Sequence, residues 1–488
     1  MIKNENLLAF NDYQISLINS IENNKILKFI KTKSGDFTIK VIDNDKELFL
    51  HSIYNPQNEA ARFVNRYEDY SKKIWIIFGF GCGYHVKKLL KKLNKNQRVK
   101  IVIVNPDVFK KVLSNFDLSE ILNDSRVDII LELNINTMVK KLKNILNNNL
   151  KKEIEIIPHK TSLKICSQEF SPIQDFFDEI SVRKQNVHKH KNKIHKNIIE
   201  NISHIPQSVG VNKFRHLFSD KPIFIVSAGP SLDKNIHYLK KIGDKGIIIS
   251  VDTAIPSLQE VGIKPDFITA IDPNQALYDK IFKNYPDLKI PLIYIASVYP
   301  DVLDSYKGPK IVAFTSGDRI NNILESYFNK GRLESGGSVA STALDFAYKM
   351  GGNPLVLVGQ DLAFTEDGVT HAVDTFYNKK KNMSVLKKVP GINKKEVKTS
   401  LSYFTYLRWF ERYIQEKASV EFIDATEGGA KIKGTHIYKL KKVIKKFSFN
   451  KIYKKKYINK IINSNYRQNK QLTATEISKI STEISKNI

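Results

Sequence analysis

The 488-residue chain has few cysteines, few tryptophans and no long apolar runs, and these shortages exclude several protein classes. Its two cysteines, Cys82 and Cys166, are too few for a disulfide framework or a cysteine-rich metal site, so we expect a cytoplasmic protein. No apolar run is long enough to cross a bilayer, and the first residues lack the apolar segment of a secretory signal. We therefore expect no membrane span.

Acidic residues are also scarce relative to basic ones, with 50 Asp and Glu against 78 Lys and Arg. The resulting net charge of +28 is typical of proteins that bind nucleic acid or anionic surfaces. The lysines are spread along the chain, however, and no basic motif interleaved with aromatic residues is present. We expect no nucleic-acid partner, and a basic surface that attracts an anionic sugar nucleotide or an acidic acceptor protein.

The most informative segment is 222–233, which predicts a buried strand, a tight turn and the start of a helix. Its β-branched and aromatic residues favour the strand, whereas Gly229, Pro230 and Ser231 favour the turn. Because the N-terminus of a helix attracts anions, this turn is a candidate site for a nucleotide or a phosphate. The alternative is an ordinary strand-to-helix turn that only packs.

The next two predicted strands each end in an aspartate. Segment 246–251 is followed by Asp252 and Thr253, and segment 265–271 is followed by Asp272. Ligands of open α/β sheets bind beyond the carboxyl ends of the strands, where a carboxylate can hold ribose hydroxyls, a base, or a metal through water. The alternative is that both aspartates cap the helices that follow.

Three later loops add polar groups to the same predicted domain. The run Ser335–Ser338 precedes an apolar helix and offers N–H groups and hydroxyls for a phosphate or a sugar carboxylate, or forms a turn that only packs. Gln360 and Asp361 end a buried strand at 354–359. The loop at Thr426 and Glu427 either closes the pocket or forms part of the sheet edge.

The first third of the chain predicts a separate βαβ unit. Strand 74–78 is followed by Gly79, Gly81 and Gly83, then by a helix and a strand at 99–104. This pattern is typical of dinucleotide and S-adenosylmethionine sites, but the acidic residue expected at the end of the second strand is Asn105. We favour a scaffold over a working cofactor site.

Two further segments predict helices. Residues 171–203 read as a connecting helix, in which His188, His190 and His195 favour a solvated charged face over a metal site. From 435 onward the chain is rich in Lys, Asn and Ile at helical spacing. We expect three parts, namely an N-terminal domain at 1–170, a central domain at 171–434 that begins with the connecting helix, and a C-terminal helical region at 435–488.

Residues 222–273 resemble the central domain of the motility-associated factor (Maf) flagellin glycosyltransferases, which is shared with 6-hydroxymethylpterin pyrophosphokinase-like proteins. A more distant resemblance is to bacterial sialyltransferases that use CMP-sialic acid. Those enzymes carry Gly-Asn-Gly-Pro-Ser-Leu after a strand, whereas this chain has Ala228–Leu232 with Ala228 in place of the asparagine. They also place asparagines where this chain has Asp252 and Asp272. The runs 359–372 and 426–430 are similar to stretches of Maf-like proteins.

This resemblance implies an α/β fold with a Rossmann-like N-terminal domain, a central sialyltransferase-like α/β domain and a C-terminal helical region. It implies a cytoplasmic glycosyltransferase that acts in flagellin glycosylation and motility. The donor would be a CMP-activated nonulosonic acid, of legionaminic or pseudaminic type, and the acceptor Ser or Thr of flagellin. No cofactor or metal would be required. A magnesium-dependent pterin pyrophosphokinase and a non-catalytic flagellin-binding protein remain alternatives.

Because glycosyl transfer needs a base, His371 and Asp361 are the expected catalytic residues. The residues expected to bind the donor are Ala228, Gly229, Pro230, Ser231, Asp252, Thr253, Asp272, Ser335, Gly336, Gly337, Ser338, Gln360, Thr426 and Glu427.

Overall fold

The computed structural model describes residues 2–22, 26–43, 46–67, 69–148, 153–166, 170, 172–173, 175–177, 192–315, 319–372, 387–393, 396–446, 451–466 and 473–485. The chain divides into two compact units, Met1–Asp178 and Glu179–Ile488. Each contains a parallel sheet accompanied by helices, so the predicted α/β class is confirmed. The finer division into three domains stays a prediction.

The first unit combines an antiparallel hairpin sheet with a parallel sheet. Its strands are β1 (Ile26–Lys31), β2 (Phe37–Asp43), β3 (Lys46–Phe49), β4 (Ile74–Phe78), β5 (Arg98–Val102), β6 (Val127–Ile130) and β7 (Ile154–Pro158). Its helices are α1 (Asn4–Leu7), α2 (Asp12–Ser20), α3 (Pro56–Val64), α4 (Tyr84–Leu90), α5 (Pro106–Asn115), α6 (Ser119–Leu122), α7 (Ile135–Asn148) and α8 (Lys160–Lys164). Strands β1, β2 and β3 pair in that order, and the parallel strands lie in the order β6-β5-β4-β7.

The apolar run of β4 explains its central place in the parallel sheet. Residues Trp75–Phe78 are all buried, and β5 and β7 pair with β4 on its two edges. A strand buried on both faces reads as a continuous apolar run rather than an alternating one. The expected strand–turn–helix at 74–90 is therefore present, with Gly83 preceding α4 in the left-handed backbone region at φ +85°.

The second unit is built on a long parallel sheet. Its strands are β8 (Val209–Gly210), β9 (Ile223–Val226), β10 (Ile247–Val251), β11 (Phe267–Ala270), β12 (Leu292–Ile295), β13 (Lys310–Thr315), β14 (Arg332–Leu333), β15 (Leu355–Val358), β16 (Lys387–Pro390), β17 (Glu396–Thr399), β18 (Phe422–Asp424) and β19 (His436–Ile437). Within the described residues the sheet runs β14-β13-β12-β11-β10-β9-β15-β18-β19, with β8 also on β13. Strands β16 and β17 form a separate antiparallel pair.

Helices cover this sheet and continue to the end of the described chain. They are α9 (His204–Gln207), α10 (Leu232–Asn235), α11 (Ile255–Glu260), α12 (Gln275–Lys280), α13 (Pro300–Ser305), α14 (Arg319–Phe328), α15 (Val339–Lys349), α16 (Leu401–Glu416), α17 (Leu440–Lys446), α18 (Lys454–Tyr466) and α19 (Ala474–Ser485). Short 3₁₀ turns lie at Val211–Phe214, Ile236–Lys241, Gly243–Lys245, Asp252–Ala254 and Phe282–Asn284. Residues 192–201 are also helical, whereas His188 and His190 lie outside the described residues.

Both faces of the long sheet are buried. Phe267 of β11 packs into one apolar core and its neighbour Ile268 into another. Helix α15 packs against β9, β10 and β11 on the first face. The segment expected to be helical from 435 first adds β19 to the edge of the sheet. Within the described chain, no helix combines the length and apolarity needed to cross a membrane.

Candidate functional site

The turn after β9 closes on a buried carboxylate. Asp361 follows β15, and its Oδ2 accepts hydrogen bonds from the Ser231 backbone N–H (3.2 Å) and the Ser231 hydroxyl (2.7 Å). Gly229 donates its N–H to the carbonyl oxygen of Gly359 (2.8 Å). A Cβ at Gly229 would meet both the Asp361 carboxylate and the Gly359 carbonyl, so no larger residue fits. The glycine is needed for contact within the protein.

This arrangement changes the chemistry expected of the turn. The N–H of Ser231, predicted to face an anion, is used by Asp361. The helix that follows, α10, has four residues, so its dipole is small. Burial raises the pKa of Asp361 to about 6, even though its bonds to Ser231 and the charge of Lys234 favour the ionised form. Asp361 is buried and joins two strand ends through its bonds to Ser231.

Two aspartates lie at the ends of the neighbouring strands β10 and β11. These strands are parallel neighbours, which brings Asp252 and Asp272 to the same edge, as the sequence predicted. Asp252 is buried; its Oδ1 accepts the Thr253 N–H (2.7 Å), and its Oδ2 has no hydrogen-bond partner. Asp272 is half-buried, and its Oδ1 accepts from the backbone and side chain of Asn274 (2.9 and 2.7 Å).

The electrostatics of this pair leave one carboxylate protonated at neutral pH. Burial, and secondly the charge of Asp272, raise the pKa of Asp252 to about 8. An unpartnered buried carboxylate oxygen is costly unless it is protonated or a ligand bonds to it. Asp252 can therefore donate a hydrogen bond, while Asp272 accepts.

The loop Ser335–Ser338 lies against an aromatic face of α16. A Cβ at Gly336 would meet the Trp409 ring, and a Cβ at Gly337 would lie 3.4 Å from Cε1 of Tyr406. Gly336 donates its N–H to the Ser341 hydroxyl (2.8 Å), and the hydroxyl of Ser338 caps α15 by accepting the Ser341 N–H. Gly337 is exposed. Much of this loop's hydrogen bonding is thus internal to the protein.

The same helix face reaches the remaining predicted residues. Tyr403 and Tyr406 have ring centroids 6.4 Å apart, and Asp272 is close enough to Tyr406 to contribute to its raised pKa, after burial. Tyr403 hydrogen-bonds Thr370, whose hydroxyl is 2.8 Å from Nδ1 of His371. Helix α16 thus connects the Asp272 region to the His371 loop.

Three predicted residues take part in buried or inter-element hydrogen bonds. Gln360 accepts from the Ser227 hydroxyl (2.6 Å) and donates its N–H to the Thr426 hydroxyl (3.2 Å). Glu427 has φ +64°, and its Oε1 accepts from Asn235 (3.1 Å) and from the first N–H of α17, that of Leu440 (3.0 Å). These contacts fix the ends of β15 and β18 to the helices around them.

The structure therefore divides the predicted residues into two sets. Those that reach solvent are Gly229, Pro230, Thr253, Asp272, Ser335, Gly336, Gly337, Ser338, His371 and Glu427. Those that are buried are Ala228, Ser231, Asp252, Gln360, Asp361 and Thr426. The aromatic face of α16 was missed, although Tyr403, Tyr406 and Trp409 recur at a spacing of three residues, which places side chains on one face of a helix.

Comparisons with known proteins give a match to one family and likenesses to two individual proteins. Residues 196–367 match the family described as 6-hydroxymethylpterin diphosphokinase MptE-like. A 77-residue stretch is 36% identical to a 6-hydroxymethyl-7,8-dihydropterin pyrophosphokinase of Methanocaldococcus jannaschii. This stretch covers 15% of this chain and 30% of the length of that relative. A solved structure of a Maf glycosyltransferase from Magnetospirillum magneticum aligns over 95% of this chain and 77% of its own, with 16% identity and a TM-score of 0.49. The predicted likeness of the central segment to pterin pyrophosphokinase-like proteins is thereby confirmed over residues 196–367.

Proposed function

We propose that this protein is a glycosyltransferase that takes its sugar from a nucleotide-activated donor. The observation that carries the proposal is the pair Asp252 and Asp272 at adjacent strand ends, with the half-buried ring of Tyr406 close enough to Asp272 for an electrostatic interaction. A hydrogen-bond donor, an acceptor and an aromatic face are the groups that a nucleoside requires. The resemblance of segments 222–273 and 359–372 to Maf-like proteins supports a CMP-activated nonulosonic acid as donor and flagellin as acceptor.

In this proposal the two aspartates bind the nucleoside and the Gly-rich loop binds the negative groups. Asp252 donates to, and Asp272 accepts from, the ribose or the base. The hydroxyl of Ser335, whose oxygen accepts the Gly337 N–H at 3.3 Å and the Thr342 hydroxyl at 3.2 Å, donates its proton to the phosphate or the sugar carboxylate. Lys234 is exposed near Gly428 and adds a positive charge on this side of the turn.

The transfer step assigns different tasks to His371 and Asp361. A Ser or Thr hydroxyl oxygen of the acceptor attacks the anomeric carbon, the bond from that carbon to the phosphate oxygen breaks, and CMP leaves with the electron pair. The hydroxyl proton passes to the imidazole of His371, which is half-exposed and is positioned by Thr370. Asp361, whose Oδ2 is bonded to Ser231, is a positioning residue for the turn.

A second candidate is a magnesium-dependent pterin pyrophosphokinase, which the match over residues 196–367 favours. Magnesium binds ionised carboxylates and phosphate oxygens. The donor set fits this cation less well than it fits a nucleoside, because burial raises the pKa of Asp252 to about 8. For this activity, Asp252 would have to ionise when the cation binds.

One assay separates the two candidates. The full chain is incubated with CMP-legionaminic or CMP-pseudaminic acid and unglycosylated flagellin, and flagellin is weighed by intact mass spectrometry, with and without a chelator. In parallel, ATP, magnesium and 6-hydroxymethyldihydropterin are supplied and AMP is measured. We expect a chelator-resistant mass increase on flagellin and no AMP.

Two variants test the proposed residues. D272N is expected to weaken donor binding, and H371A to lower the turnover number without weakening binding of CMP. The matched control is D301N, which removes an exposed carboxylate at the start of α13. Magnesium-dependent AMP formation would move the assignment to the pyrophosphokinase, and activity of D272N equal to that of D301N would contradict the nucleoside role of Asp272.

A further inference from the structure

Three histidines come together inside the first unit. His51 follows β3, His85 is the second residue of α4, and His159 lies between β7 and α8. All three are buried, with 3%, 2% and 6% of their surface exposed. One ring nitrogen of each lies within 4.8 Å of those of the other two. The proposed glycosyl transfer does not use any of them.

In each of the three imidazole rings, one nitrogen lies near a polar group of the protein. Nδ1 of His51 is 3.4 Å from a carboxylate oxygen of Glu59, and Nε2 of His85 is 3.2 Å from the carbonyl oxygen of Gly79. Nδ1 of His159 is 2.7 Å from the hydroxyl of Ser162 and accepts the Ser162 backbone N–H at 3.4 Å. Histidines that bind metal ions nearly always donate their second ring N–H to a carboxylate, a backbone carbonyl or a water, so a metal at Nε2 of His159 requires Nδ1 to donate to the Ser162 hydroxyl and to give up the bond from the Ser162 N–H. These contacts fix the orientation of each ring and therefore the position of its second nitrogen.

The opposite nitrogen of His85 lacks a partner. Its Nδ1 is buried and makes no hydrogen bond, which is uncommon for a buried polar atom. The opposite nitrogen of His51, Nε2, accepts the backbone N–H of Cys82 at 3.0 Å. A Cβ at Gly81 would lie 2.6 Å from this Nε2 and 3.1 Å from Cε1 of His159, so the two rings approach the same point beneath the glycine.

We propose that His51, His85 and His159 bind a divalent first-row transition metal, with zinc as the representative ion. Imidazole suits zinc, copper, iron and nickel, and bond lengths of about 2.0–2.1 Å place neighbouring nitrogens about 3.4 Å apart in a tetrahedral site. The three histidine nitrogens lie within 4.8 Å of one another, so side-chain rotation that shortens these distances by roughly 1.4 Å gives the spacing of a tetrahedral site. Binding at Nε2 of His51 replaces one hydrogen bond from Cys82.

A carboxylate lies beside the cluster. An oxygen of Glu59 is 3.4 Å from Nδ1 of His51, so a negative charge is available to offset part of the charge of a bound cation.

The positions and the burial of the three histidines indicate what the ion does. They come from the segment after the β2–β3 hairpin, from the helix after β4 and from the end of β7, so a bound ion cross-links the hairpin to the parallel sheet. The burial of all three rings leaves little access for a substrate. The site is therefore structural, and its ion stabilises the first unit rather than taking part in sugar transfer.

The test uses the full chain after treatment with a chelator. Cobalt is titrated and followed by its visible absorption, which reports tetrahedral coordination, and zinc is then added in competition. We expect one equivalent of metal per chain. H85Q and H159Q should each weaken binding about 10- to 100-fold. H204Q, which alters a partly buried histidine paired with Asp304 in the second unit, should bind as the wild type does.

X-ray absorption of the zinc-loaded wild type gives a result that does not depend on the folding of any variant. Scattering from three imidazoles is expected. Fewer than three imidazoles, less than one equivalent of metal, or unchanged binding in a folded H85Q would each overturn the proposal. In those cases the stacked rings of His85 and His159, 4.5 Å apart, serve only in packing.

Discussion

The turn after β4 and the turn after β9 occupy the same place in their sheets, since each follows an interior parallel strand and precedes a helix. In the first unit the glycines make room for imidazole rings and for Ser162. In the second unit Gly229 makes room for the carboxylate of Asp361. A glycine-rich turn at a strand end thus indicates a close approach, but the approaching group here is the protein itself in both units.

The difference lies in what surrounds each turn. Beside the first turn, three buried imidazoles leave little surface for a ligand. Around the second, Asp272, Gly337 and Tyr406 remain half-buried or exposed. The charge preferences also differ, because burial keeps His85 neutral by lowering its pKa and keeps Asp252 neutral by raising its pKa. The two units should therefore respond to pH in opposite directions.

Gly229→Ala should produce the largest effect. The new methyl group has no room between the Asp361 carboxylate and the Gly359 carbonyl, so we expect the free energy of unfolding of the second unit to fall by about 3 kcal/mol. The chain has two tryptophans, Trp75 and Trp409, one in each unit, so a Trp75→Phe background reports this unit through Trp409 fluorescence.

The control for this change is Gly243→Ala. Gly243 has φ +49°, and nothing lies within 4 Å of its added Cβ, so backbone strain alone should cost about 1 kcal/mol. Equal losses in the two variants would mean that the turn after β9 can open, and that the contact with Asp361 is not tight.

Acid should weaken the first unit through its histidines. The pKa of His85 is about 3 in the folded chain and about 6.5 when unfolded, so its contribution is complete above pH 6.5 and is lost as pH falls toward 3. The loss is about 1.4 kcal/mol per pH unit, or about 2 kcal/mol from pH 6.5 to 5. Urea unfolding followed by Trp75, in a Trp409→Phe background with chelator, should show this slope, and H85Q should reduce it.

Rising pH should weaken the second unit through Asp252. Its pKa is about 8 when folded and near 3.9 when unfolded, so its contribution is complete below pH 3.9 and is lost as pH rises toward 8. D252N should remove at least ~2 kcal/mol of that loss between pH 4 and 8. Unfolding followed by Trp409 fluorescence between pH 4 and 8 tests whether the stability of the second unit falls as pH rises. A D252N variant that keeps the wild-type slope would show that Asp252 is ionised in the folded chain.

The sequence predicted the strands well and the contacts between distant segments poorly. Strands expected at 246–251, 265–271 and 354–359 lie within two residues of the observed bounds, because buried parallel strands are continuous apolar runs. The pairing of Ser231 with Asp361 spans 130 residues and has no local pattern. The convergence of His85 and His159 was deducible in principle, since both follow neighbouring parallel strands.

The smallest effect should come from Tyr406, and it tests which unit binds the nucleotide. Loss of a ring that stacks on a base typically costs about 1–3 kcal/mol, so Tyr406→Ala should raise the dissociation constant for CMP roughly tenfold or more. Tyr406→Phe keeps the ring and should bind nearly as the wild type does. Tyr453→Ala, at a position 63% exposed, is the matched control.

Trp409 provides the signal, because its ring packs beneath Gly336 in the same loop that approaches Tyr406. CMP should change the fluorescence of Trp409 in a Trp75→Phe background and leave that of Trp75 unchanged in a Trp409→Phe background. If Tyr406→Ala and Tyr453→Ala bind CMP equally, the aromatic face of α16 is only a packing surface. A response at Trp75 instead would move the nucleotide to the glycine-rich turn of the first unit, where His51 and His159 would have to leave the space that they fill.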